Sequence, residues 1–243
     1  DRFFGPVMLL WFATLALLGV NSIVAHPAIL MAVNPAHAVG FLIDHELLAL
    51  VALGGVVLAV AGAEALHSGM GQFGHKSVRG AWFLLVLPAL ALNYLGQGAL
   101  MLDDAAAARS PFFLSAPGWA LFPLIALATA ASAIAAQAVI SAASSLTRQA
   151  MMLGFMPRME VQRTADKGQF YLPAVNWGLL LAVTILVLGF GSSDNLVAPY
   201  GIVVSGELMV TSLLAAVVIA RHWGWGRAGG LFGSFLAIEL VFL

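Results

Sequence analysis

Seven apolar segments divide this chain, and each is close to the ~20 residues a helix needs to cross about 30 Å of hydrocarbon. They are Gly5–Val24, Leu47–Leu66, Gly80–Leu102, Trp119–Ala143, Leu172–Gly191, Leu196–Ala220 and Ala228–Leu243. Segments that are apolar all round read as buried or lipid-facing helices, so helical periodicity adds nothing within them. Composition agrees: 62% of the residues are hydrophobic and 9% charged, against about 25% charged in a soluble domain. The expected fold class is therefore an all-α polytopic membrane protein, with residues 1–243 forming a single transmembrane domain. Asp1 opens the chain, and an apolar run is still open at Leu243. On that pattern the chain is expected to be part of a longer protein.

Basic residues set the expected orientation. Lys76 and Arg79 fall between segments two and three; Arg148, Arg158, Arg163 and Lys167 between four and five; Arg221 and Arg227 between six and seven; Arg2 precedes the first. Only Arg109 lies on the other side, with Asp103 and Asp104 near it. Nine of the ten basic residues thus share one side, which the positive-inside rule assigns to the cytoplasm. An extra or missing crossing would scatter them. The stretch Ala25–Glu46, with His26, Pro27, Asn34, Pro35, His37 and His45, is expected to be an external connection, too polar and proline-marked to span. Arg148–Gln169 is expected to be a solvated cytoplasmic loop.

Three carboxylates lie within apolar segments: Glu64, Glu207 and Glu239. An ionisable group at membrane depth is costly unless it meets a cavity or a partner, which makes each a site candidate. Gly62 stands two residues before Glu64, where a membrane helix could break and turn backbone carbonyls toward an ion. A helix ending near Leu66, with Glu64 snorkelling at the interface, is the plainer alternative, and position alone leaves both open. Glu239 is the weakest of the three, because it lies in the truncated last segment. Glu207 follows Gly206, whose expected role is close helix packing. His67, three residues after Glu64, would share its helical face and titrates near neutrality. It is expected either to join a proton relay or simply to satisfy Glu64.

Polar side chains elsewhere in the segments are expected to serve structure. Segment four is rich in Ala and Ser, which suits tight helix packing, with Gln137 its most testable polar residue. Asn93, Tyr94 and Gln97 make one face of segment three polar. Hydrogen bonding to a neighbouring helix is the expected use, and solute contact the rival. Cysteine is absent, which excludes a Cys-ligated zinc site and a thiol nucleophile. The six histidines form no i, i+4 metal pair, and no phosphate-binding glycine loop or Ser–His–Asp set is present. An enzyme is not expected, nor a cofactor, nor (at a formal net charge of -1) a nucleic-acid partner.

Longer motifs carry a family resemblance. Phe4–Phe12 (F-G-P-V-M-L-L-W-F), Gly62–Leu66 (G-A-E-A-L), Asn93–Leu100 (N-Y-L-G-Q-G-A-L), stretches within Ala136–Ala150, Gly168–Trp177 (G-Q-F-Y-L-P-A-V-N-W) and Tyr200–Ile202 (Y-G-I) resemble, in order, the KUP/HAK/KT potassium uptake permeases. The resemblance implies a potassium–proton symporter of the bacterial inner (plasma) membrane with a LeuT-like fold, that of the amino acid–polyamine–organocation superfamily. Its two inverted five-helix repeats place a cation site at the broken first and sixth helices. The seven segments would correspond to family helices five to eleven, so the second repeat is whole and the first four helices are missing. Gly62, Ala63, Glu64 and Tyr200 would then contribute to a potassium site, and Glu64, His67 and Glu207 to proton coupling. Potassium is the implied substrate, with protons and the lipid bilayer as the other partners and a homodimer left open.

Departures from the family pattern fall near that site. Ala61 stands where a threonine is usual, His67 and Gly69 alter a stretch that usually carries an aspartate, Pro199 precedes Tyr200, and Glu207 replaces a threonine. They bear on ion affinity and selectivity. An amino-acid or amine–proton symporter on the same fold, or a non-transporting membrane sensor, are the competing expectations.

Overall fold

The computed structural model describes residues 3–60, 74–103, 105–163 and 170–241. Helix dominates them. In chain order the α-helices are α1 (Phe4–Ala25), α2 (Pro35–Asp44), α3 (Glu46–Val60), α4 (His75–Asp103), α5 (Pro111–Leu114), α6 (Leu121–Met152), α7 (Pro173–Phe190), α8 (Val197–Trp223) and α9 (Trp225–Val241). Residues Gln162–Arg163 (β1) and Phe170–Tyr171 (β2) pair antiparallel, with Gln162 opposite Tyr171 and Arg163 opposite Phe170. This two-residue ladder lies in a connection and leaves the fold all-α in class, as expected. Within the expected Arg148–Gln169 loop, α6 runs on through Arg148 to Met152 and the ladder takes Gln162–Arg163, while residues 153–161 form neither helix nor strand.

Among the described residues five helices are long and apolar enough to cross a membrane: α1, α4, α7, α8 from Pro199 to His222, and α6 with the turn before it. The chain is a multi-pass integral membrane protein. Seven crossings were expected, and the other two segments fall short among the described residues. There α3 is 15 residues long and α9 is 17.

Proline placement explains several helix starts. A proline in the first turn costs nothing, since its missing N–H would have had no intrahelical partner. Pro6, Pro35, Pro111, Pro123, Pro173 and Pro199 all sit there. The stretch expected to be an external connection too polar to span is helical for the same reason, and its two helical pieces are together long and apolar enough for a broken span or a re-entrant loop. Pro27 opens a 3-10 turn over Pro27–Val33, and Asn34 Oδ1 then accepts the Ala36 N–H at 3.0 Å, capping α2 with Pro35 at its first position. The two pieces meet at 77°. Pro88 is the exception, being deep inside α4. Its ring nitrogen cannot donate to Leu84, and a π-helical turn over Trp82–Val86 accommodates the break.

The chain clusters into two compact units, each described by itself. The first contains α1, α4, α5, α6 and the β ladder. Its centre is the crossing of α1 and α4. Gly19 and Gly96 touch there: a Cβ on Gly96 would lie 2.5 Å from Gly19 Cα, and one on Gly19 would collide with the Leu92 carbonyl. Small residues are what allow backbones to approach this closely in lipid, where the hydrophobic effect offers no help. Seven residues beyond each glycine, His26 Nε2 lies 3.7 Å from Asp103 Oδ2. Equal offsets mean that the two helices run parallel and end on the same side, as the sidedness expected from the basic residues requires. After α4 the chain doubles back along it, through a 3-10 turn (Ala105–Arg109) and α5. Phe112 of α5 packs edge-on against Trp11 of α1, with ring centroids 5.7 Å apart.

The second unit contains α3, α8 and α9, with α8 and α9 packed as an antiparallel hairpin. Arg221 and His222 in the last turn of α8 complement its C-terminal partial charge. Gly224, at φ 87°, ends the helix and lets the chain turn directly into α9.

Candidate functional site

Four of the site residues expected from sequence, Gly62, Ala63, Glu64 and His67, lie outside the described residues, as do the departures Ala61 and Gly69. Tyr200 and Glu207 are described, and both are on α8. Seven residues apart, they lie within about 20° of one another around a helix with 3.6 residues per turn, separated by roughly 10 Å of rise. Both are exposed, Tyr200 at 45%. α8 therefore carries a phenol and a carboxylate on one side, with Val204 between them buried, and Ser205 is buried as well. The expected packing role of Gly206 finds no neighbour: a Cβ there would meet nothing within 4 Å among the described residues. The close approach belongs to Gly19 and Gly96 instead.

The polar cluster of α4 splits in two. Asn93 is only 5% exposed, next to the α1 crossing, and its Oδ1 accepts from Gln97 Nε2 at 2.6 Å. Tyr94 points elsewhere and is 54% exposed. The Asn93–Gln97 pair satisfies itself one helical turn apart, which favours a structural role over solute contact. The small-residue run of α6 is largely open, with Ala131 and Ser144 its buried members and Gln137 exposed.

Glu239, the weakest of the three carboxylate candidates from sequence, packs against α8. It is 9% exposed, and Ser212 of α8 donates to its Oε1 at 2.6 Å. Its Oε2 is buried without a hydrogen-bond partner among the described residues. The usable signal was its placement, fifteen residues after Gly224 at the α8–α9 turn, which Arg221 and Arg227 mark as an interface. No group of three His, Asp or Glu side chains is arranged to hold a metal ion among the described residues.

Residues 1–243 match the family model described as the K+ potassium transporter integral membrane domain. A "Probable potassium transport system protein Kup 1" of Dechloromonas aromatica strain RCB is 65% identical, covering 99% of this chain and 39% of that protein. Its namesake in Paramagnetospirillum magneticum is 54% identical over 100% of this chain and 38% of its own length. A "Probable potassium transport system protein Kup" of Pseudomonas aeruginosa strain LESB58 is 53% identical over 98% of this chain and 38% of its own. The chain thus spans about two fifths of the length of these relatives. No solved structure matches it.

Proposed function

The chain belongs to the K+ potassium transporter integral membrane domain family, and on that premise we propose that the full-length protein imports potassium ions across the cell membrane by symport with protons. The family is one of transporters and not of enzymes. The observation that carries the proposal is 65% identity to a potassium transport protein along 99% of a chain whose described helices include five of membrane-crossing length. In this reading residues 1–243 form one transport domain of the LeuT type, holding the second inverted repeat, in the bacterial inner membrane. No cofactor takes part, and potassium is cargo.

The proposed site joins Gly62, Ala63 and Glu64 with Tyr200. Carbonyl and hydroxyl oxygens replace part of the hydration shell of potassium, as selectivity sites of this kind do. Glu64, His67 and Glu207 are the proposed proton-coupling groups. Support for the α8 residues is that Tyr200 and Glu207 stand on one side of that helix and are both exposed. The loss of a threonine oxygen at Ala61 is offset in this reading by the extra carboxylate at Glu207.

Growth of a potassium-uptake-deficient bacterium on limiting potassium, with the full-length protein expressed, tests the substrate. Rescue by wild type and failure of Glu64→Gln at equal membrane abundance is the expected result. Equal rescue by both would remove Glu64 from the site. No rescue by an abundant wild-type protein would overturn the potassium reading.

A further inference from the structure

Hydroxyls in membrane helices usually turn back on their own helix, and this chain does so repeatedly. Thr14 donates to Leu10 O at 2.8 Å, Thr129 to Ile125 O at 2.8 Å and Thr184 to Leu180 O at 2.7 Å. Such i−4 bonds satisfy the hydroxyl locally. Ser212 departs from the habit. It reaches across from α8 to Glu239 on α9 and donates at 2.6 Å. The carboxyl it meets is nine-tenths buried, and the second oxygen has no partner among the described residues.

Depth follows from helical rise. The α8–α9 turn at Gly224 is flanked by Arg221, His222 and Arg227, which mark the interface. Ser212 is twelve residues from that glycine and Glu239 fifteen, or roughly 18–22 Å at 1.5 Å per residue. The pair therefore lies well inside a hydrocarbon core of about 30 Å.

Among the described residues of α8, α9 and α3, no cation stands close enough to neutralise a charge there. Besides Glu239, the ionisable residues on the two helices are Tyr200, Glu207, Arg221, His222 and Arg227. Arg221 is nine residues from Ser212, and Arg227 twelve from Glu239, each more than ~13 Å of rise away. Glu207 lies about 140° around α8 from Ser212 and is exposed. It would in any case repel. On α3, which also touches α8, the ionisable residue is Glu46 at its first position.

A carboxylate in this setting would keep its charge with a single serine donor. A carboxylic acid leaves only one hydrogen bond unmade, and that is the smaller penalty. We propose that Glu239 and Ser212 form a proton-binding site between α8 and α9. Oε2 carries the proton, and Oε1, as the carbonyl oxygen, accepts from Ser212. Release returns the proton to the aqueous phase and leaves the carboxylate, whose Oε1 holds the same serine bond more strongly. Ser212 is a positioning residue. The inference rests on the chain spanning a membrane and extends the proton-coupled reading to a further group.

Infrared spectroscopy of the full-length protein in lipid tests it. The expected spectrum at neutral pH has a protonated-carboxyl C=O band that disappears in Glu239→Gln. That band moves to higher frequency in Ser212→Ala, where the carbonyl loses its donor, and the Ser212→Ala shift carries the test if Glu239→Gln fails to fold. Transfer to heavy water should shift it to lower frequency, as the proton on Oε2 exchanges. Carboxylate bands in place of the acid band, or an acid band that never exchanges, would overturn the proposal. Conversion of acid to carboxylate by added potassium at fixed pH would reassign the group to a metal cation and overturn it too. Potassium uptake measured on the same preparation separates the two readings, because an absent acid band with intact uptake removes only this site.

Discussion

Gly96→Ala is the sharpest probe of how the first unit is held together. The added Cβ would sit 2.5 Å from Gly19 Cα and 2.7 Å from Gly19 O. Both are backbone atoms that no rotamer change can move. Ordinary contact begins near 3.4 Å, so α1 and α4 must part by about 0.9 Å. Overpacking of this kind costs about 1–3 kcal/mol, and alanine returns roughly 0.5–1 kcal/mol of helix propensity. The net loss is therefore about 1–2 kcal/mol. At ~1 °C per kcal/mol for a full-length protein of which this chain spans about two fifths, the midpoint should fall by roughly 1–2 °C. The assay is thermal melting of the full-length protein in detergent, followed by size-exclusion fluorescence. Gly178→Ala is the control, since a Cβ there meets nothing within 4 Å, and its midpoint should hold or rise. Equal melting of the two variants would refute the glycine crossing as the organising contact.

Other expectations follow from single contacts. Ser144 is 1% exposed and its Oγ has no partner among the described residues, so Ser144→Ala should raise the melting midpoint by removing an unmade hydrogen bond worth ~1–3 kcal/mol. A lower midpoint would show that the hydroxyl is bonded. Phe112→Ala should destabilise, losing the Trp11 edge contact, worth ~0.5–1.5 kcal/mol beyond buried area. Trp11→Ala in the same background should then add little, and full additivity in a double-mutant cycle would refute the pairing. Glu207→Gln should weaken potassium uptake by about tenfold if one ~1.4 kcal/mol interaction is lost. Unaltered uptake kinetics would exclude the proposed compensation for Ala61.

Sequence reading was most secure where one physical requirement dominates. Spans of membrane length and the one-sided basic residues gave a multi-pass helical protein, and the parallel run of α1 and α4 past Gly19 and Gly96 respects that sidedness. Its errors came from signals with two meanings. Pro27 and Pro35 break a helix when they fall inside one and start a helix when they fall first, and only the cap on Asn34 decides between them. Gly206 and Gly96 look alike in sequence, yet only Gly96 meets another helix, because contact depends on which face a partner covers. Asn93 and Tyr94 are neighbours on opposite sides of a burial boundary. Glu239 was discounted for its nearness to the end of the chain, whereas its pairing with Ser212 depends on the turn at Gly224. The residues of the proposed ion site from Gly62 to His67 lie outside the described residues, so that part of the reading rests on family motifs.

The most direct test of the account is potassium flux into proteoliposomes holding the full-length protein, with an imposed inward proton gradient and no membrane potential. Uptake driven above equilibrium by the gradient, collapsing with a protonophore and lost in Glu64→Gln, is the predicted result. Potassium entry indifferent to the proton gradient, or equal in the Glu64→Gln protein, would contradict proton-coupled transport through this domain.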